Sequence, residues 1–111
     1  MPVFSLEFLD SRFDLDRCDT NDRAEFAMAL VKFSRMTWQE IQNSHRHGMG
    51  HEKINIADTK LAGKLPGRFC DETDILAFRY RGKKPMLGFR VDQVFYVIGV
   101  EKNFGDIYHH G

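Results

Sequence analysis

Apolar and polar positions alternate over residues 3–9: Phe4, Leu6 and Phe8 fall on one side, Val3, Ser5 and Glu7 on the other. A period of two predicts a half-buried strand. The next stretch, residues 10–20, is charged and rich in Asp, and predicts a loop. The period then changes. Phe26, Leu30 and Phe33 recur at i, i+4 and i+7, flanked by Ala27 and Val31. This is the apolar stripe of a helix lying on a core. Thr20 or Asn21 is placed to cap it, with Asp22 and Glu25 as acids near its start.

Thr37-Trp-Gln-Glu40 marks a second helix start. A Thr followed three residues later by Glu forms a capping box, in which each side chain serves the other's backbone amide. Met36 before the cap and Ile41 inside the helix supply a hydrophobic staple. The expected end lies between Asn43 and His47, ahead of Gly48. Residues 48–73 carry no clear period and are broken by Gly48, Gly50, Gly63, Pro66 and Gly67. Ile54 and Ile56 alternate with polar neighbours there, as in a short strand or an anchored loop.

Three strand patterns close the chain. Leu76, Phe78 and Tyr80 share one face of the first, and Arg79 and Arg81 the other. Gly82-Lys-Lys-Pro85 turns into a second strand, Met86 to Val91, with Arg90 opposite Leu87, Phe89 and Val91. Asp92-Gln93 turns into a third, Val94 to Val100, which is apolar on both faces and so predicted to lie inside the sheet. The expected fold is α+β: an N-terminal strand, two helices, then a C-terminal antiparallel three-stranded meander, with the helices on one sheet face. Residues 1–111 form a single domain of ordinary size.

Composition supports a packed domain: 42% of the 111 residues are hydrophobic, and ten are Phe, more aromatic content than a disordered chain carries. Formal net charge is zero. The charge is uneven, however. Residues 1–25 hold seven acids against three bases, a net of −4, so the rest carries +4. An acidic end and a basic face are hidden in the neutral total. The two cysteines, Cys18 and Cys70, form no CxxC pair and read as reduced thiols. The N-terminus lacks the basic and apolar regions of a secretory signal, and no apolar run nears the ~18 residues of a membrane span. The expected location is the cytoplasm.

Five cations (Arg79, Arg81, Lys83, Lys84 and Arg90) fall between positions 79 and 90 with no acid among them, and the chain ends on Tyr108, His109 and His110 before Gly111. Arg matches two phosphate oxygens with its fork and keeps its charge. An imidazole exchanges protons near neutral pH. A tyrosine becomes a base only where cations lower its pKa. Together these types suit attack of a ribose 2′-hydroxyl on its own phosphodiester, which needs a base, a cation for the phosphorane and an acid for the 5′-oxygen.

This meander, Ile75-Leu-Ala-Phe-Arg-Tyr-Arg81, Met86-Leu-Gly-Phe-Arg90, Phe95-Tyr-Val-Ile-Gly-Val-Glu-Lys102 and Asp106-Ile-Tyr-His109, resembles the RelE/ParE superfamily of small bacterial toxins. The resemblance is firm over residues 74–110 and loose over residues 1–60. It implies an α+β fold and a toxin paired with a cognate antitoxin protein. Many members are metal-independent endoribonucleases that cut mRNA at the ribosome, and the ParE branch poisons DNA gyrase. Carried onto this chain, the nuclease branch singles out Arg79, Arg81, Arg90, Tyr108 and His109 as catalytic. No cofactor and no metal are implied.

Arg46 and His47, with Lys83 and Lys84 of the turn, are candidates for holding RNA. Two alternatives stand beside the nuclease. One is a non-catalytic interaction module on the same fold, gyrase-directed or a degenerate toxin. The other is a metal-binding protein built on His45, His47 and His51, although their spacing matches no zinc motif and brings no fourth ligand.

Overall fold

The computed structural model describes residues 1–43 and 51–109. Its elements are β1 (Val3–Ser5), α1 (Thr20–Ser34), α2 (Trp38–Asn43), β2 (His51–Asn55), β3 (Asp74–Arg81), β4 (Lys84–Val91) and β5 (Val94–Val100). The five strands form one mixed sheet in the order β1-β5-β4-β3-β2. β1 runs parallel to β5, and every other pairing is antiparallel. The fold class is therefore α+β. β5 lies inside the sheet, as its two apolar faces require.

β1 stops at Ser5, short of the expected residue 9, because the chain turns at Glu7 and Phe8, where the Leu9 amide donates back to the Leu6 carbonyl. Residues 10–19 are not an open loop. Asp10 and Asp14 each cap a short 3-10 turn, and Asp19 caps α1 by accepting from the Asp22 amide at 2.6 Å. The α1 cap is thus Asp19, one residue ahead of the expected Thr20 or Asn21. The capping box of α2 forms as read. The Glu40 amide donates to Thr37 Oγ1 at 3.1 Å, and the Thr37 amide donates to Glu40 Oε1 at 3.0 Å. Ile54 belongs to a strand, β2, on the sheet edge beside β3. The turn before β4 is only Gly82-Lys83, and Pro85 lies within the strand.

Both sheet faces are covered. On one, Phe26, Phe33, Trp38 and Ile41 of the helices pack on Phe78, Met86, Phe95 and Val97. On the other, no described helix longer than a 3-10 turn is present. That face is closed by Phe13, Ile56, Leu61, Phe69 and Ile107, which pack on Ile75, Ala77, Leu87, Phe89 and Ile98. Phe69 stacks on Phe89 with ring centroids 4.6 Å apart. These residues come from irregular segments, so their apolar positions show no period along the chain. Among the described residues no helix is long and apolar enough to cross a membrane.

Candidate functional site at the open end of β2 and β3

β2 pairs with β3 so that Glu52 lies opposite Ala77 and Ile54 opposite Ile75. Side chains two apart on a strand share a face. Glu52 therefore follows Ile54 on the face closed by the irregular segments, and Arg79 continues the Ile75–Ala77 row beyond it. Over this corner passes the C-terminal segment. Its backbone is tied down by a Thr59–Tyr108 bridge and by the Lys60 amide, which donates to the Ile107 carbonyl at 2.8 Å.

The same segment is clipped from below by Glu101, which is 0% exposed. Its carboxylate accepts from the amides of Gly105 (3.1 Å), Ile107 (2.8 Å) and Tyr108 (3.4 Å). A buried carboxylate is tolerated where several N–H donors meet it. The Tyr80 hydroxyl donates to the Glu101 backbone carbonyl from the opposite side.

The result is a cleft of ≈ 340 Å³ lined by Glu52, Lys53, Asn55, Asp58, Tyr108 and His109. Tyr108 is buried, with its hydroxyl hydrogen-bonded to Glu52. Burial pushes its pKa well above the ordinary value, and the nearby charges of Glu52 and Glu101 push the same way; Arg79 pulls against them and is outweighed. Tyr108 is thus a protonated hydrogen-bond partner at neutral pH and not the cation-activated base expected from its neighbours in sequence. Glu52 is the ionisable acceptor at this point, and His109 is exposed beside it.

The other candidates lie elsewhere. The β3–β4 register shifts between Arg79 and Arg81. Arg81 does not share the Arg79 environment; it turns to α1. There Arg81 Nη1 meets Asp22 Oδ1 at 2.7 Å, and Lys84 Nζ meets the same oxygen at 3.0 Å. Asp22 is only 1% exposed. Burial alone would raise its pKa, but hydrogen bonds from Lys84 and Arg81 outweigh it and hold the carboxyl below the usual range. Close by, the Cys18 thiol is buried and raised by that burial, with Tyr80 as its hydrogen-bond partner.

Arg90 sits with its guanidinium 4.3 Å from the centre of the Trp38 ring and donates Nε to the Asp92 carbonyl at 2.8 Å. These contacts do not involve Tyr108. Lys83 is exposed in the turn. Arg46, His45 and His47 lie outside the described residues, and His51 begins β2. Among the described residues no group of three or more His, Cys, Asp or Glu is placed to hold a metal ion.

Of the five catalytic candidates, Tyr108 and His109 therefore line one cleft and Arg79 acts on Tyr108 through its charge, while Arg81 and Arg90 serve other contacts. Glu52 and Glu101 were not singled out in the sequence. The signal for Glu52 was its alternation with Ile54 and Ile56. For Glu101 it was a lone acid closing an otherwise apolar strand. No protein-family model matches the chain, and no curated protein or solved structure shows significant similarity to it.

Proposed function

We propose that this chain is a toxin of the RelE/ParE kind, a metal-independent endoribonuclease of the cytoplasm that acts on mRNA at the ribosome and is held silent by a cognate antitoxin. One observation carries the reading: Glu52, Tyr108 and His109 line one cleft beside the cation of Arg79. The α+β class, with a strand and a helix pair ahead of the antiparallel run β2 to β5, also supports it.

In this reading Glu52 takes the proton of the ribose 2′-hydroxyl, with Tyr108 fixing its carboxylate. Arg79 stabilises the phosphorane, and His109 gives a proton to the departing 5′-oxygen. The products are a 2′,3′-cyclic phosphate and a 5′-hydroxyl. The catalytic set thereby moves from the arginines of the meander to the β2–C-terminus corner.

A second reading, a non-catalytic interaction module on this fold, draws on the cations that are already engaged. Arg81 and Lys84 are both paired with Asp22, and Arg90 lies on Trp38.

Adding the purified chain to a translating extract separates the two. New 5′-hydroxyl ends in the mRNA, absent with Glu52→Gln, are the expected result. An intact mRNA in the presence of folded wild-type protein would remove the nuclease and leave the interaction module.

A further inference from the structure

The irregular layer over the second sheet face carries charges that the cleft does not use. Between Asp58 and Asp71 the chain holds Lys60, Lys64 and Arg68 and no acid. Leu61 and Phe69 anchor this stretch in the core at 0% and 1% exposure, and the three cations stay exposed. None of the three pairs with a carboxylate among the described residues.

Residues 8–12 tie these cations into one belt. Phe8 packs on Phe69 and Tyr96, with ring centroids 5.5 and 5.6 Å away. Two residues on, Asp10 is bridged to Arg12 at 2.7 Å and feels the charge of Lys64. Arg12 Nη1 donates in turn to the Lys60 carbonyl at 3.4 Å. Lys60 adjoins the cleft: its amide donates to the Ile107 carbonyl, and Thr59 before it bridges to Tyr108. The belt thus leads from the cleft across the irregular layer to β5.

Its far end is aromatic. The Arg68 guanidinium lies 4.5 Å from the centre of the Tyr96 ring, and its Nη1 donates to the Tyr96 hydroxyl at 3.0 Å. A guanidinium fixed on a ring offers an unpaired base a plane to stack on. Free cations that lead to such a platform suit a single strand, which presents both its phosphates and its base faces; a duplex hides the latter.

We infer that single-stranded RNA crosses this belt, with phosphates on Lys60 and Lys64 and a base stacked at Arg68 and Tyr96. Glu52 and Tyr96 stand three strands and two residues apart on this face. That is about 16 Å, a span of a few nucleotides. The entry of the strand into the cleft rests on the nuclease reading; its binding to the belt does not.

The test is fluorescence anisotropy of a labelled 2′-O-methyl RNA of about twelve nucleotides with the whole chain, over a series of salt concentrations. This probe lacks the hydroxyl that cleavage needs, so a chain without nuclease activity still reports binding. The single strand is expected to bind more tightly than its duplex. In the double variant Lys60→Ala/Lys64→Ala, Kd should rise about tenfold, and the slope of log affinity against log salt should become shallower by about 1.4. Arg68→Lys keeps the charge and loses the plane, so Kd should rise about fivefold with the slope unchanged. Lys32→Ala, on α1 across the sheet, should change neither. All these side chains are exposed, so a melting curve within a few degrees of wild type verifies each fold. A duplex bound as tightly, affinity unchanged in the double variant or in Arg68→Lys, or no binding at low salt overturns the inference. Capture of anionic lipid vesicles in place of RNA would assign the belt to a membrane surface and overturn it equally. Binding of the probe with no cleavage of unmodified RNA would uphold the belt and remove the nuclease.

Discussion

Arg81 meets Asp22 at 2.7 Å although 59 residues of chain separate them. The contact ties the first turn of α1 to the end of β3, and Lys84 completes it from β4 at 3.0 Å. Replacing Asp22 with Asn leaves two neighbouring cations with only the looser contact of Arg81 to Asp19, at 3.5 Å, as counter-charge. Breaking one side of a buried pair costs more than the pair contributes, because the remaining charge loses its compensation. Arg81 and Lys84 are partly exposed, which moderates the effect. Asp22→Asn is expected to lower Tm by roughly 5 °C or more, measured by circular dichroism at neutral pH.

The same carboxylate gives the fold an acid limit. Asp22 titrates below the ordinary aspartate range in the folded chain, so on acidification the unfolded chain takes up the proton first. Stability from this group is complete above the unfolded pKa and is lost as pH falls through the lowered folded one. Asp10, whose carboxyl is lowered first by its hydrogen bond with Arg12, acts in the same direction. Tm should therefore hold near pH 6 and fall steadily below about pH 4. In Asp22→Asn the fall should be shallower, which a series of melts across that range will show.

Glu101 holds the C-terminal segment by three backbone amides. Glu101→Ala strands those donors over a buried void. The expected loss is about 3 kcal/mol in chemical denaturation. Amide exchange at Ile107 and Tyr108 should accelerate more than exchange in β4.

Gly88 lies where the β4–β5 register shifts. An added Cβ would fall on the Tyr96 carbonyl oxygen, and would stand 2.8 Å from Phe95 Cζ. Because one obstacle is backbone in the sheet interior, it cannot step aside. Gly88→Ala is expected to destabilise by roughly 2–3 kcal/mol, read from the urea midpoint.

Local features of this chain were legible and long-range ones were not. The capping box at Thr37 and Glu40 acts over three residues, so its residues alone reveal it. The meander was legible because each strand carries its own period of two and its own turn. The second sheet face was hidden: Ile56, Leu61 and Phe69 are core residues held by 3-10 turns and bridges, and such segments impose no repeat. The cations illustrate the same limit. Arg79, Arg81, Lys84 and Arg90 form one cluster in sequence. A register shift, an acid 59 residues away and Trp38 then send them to different places. Glu52 entered the site only through pairing of β2 with β3. Tyr108 and His109 were visible from the start, but the burial that makes Tyr108 a donor was not.

In the proposed reaction Glu52 and His109 do the chemistry and Arg90 does not. Its most direct test is induced expression in bacteria of wild type, Glu52→Gln, His109→Ala and Arg90→Ala, each with its fold verified, while growth and cellular mRNA ends are followed. Growth arrest with new cleavage sites is predicted for wild type. Cleavage should fall by about a hundredfold or more in Glu52→Gln and His109→Ala, and persist in Arg90→Ala. Cleavage undiminished by Glu52→Gln, or no cleavage by the wild type, would contradict the account.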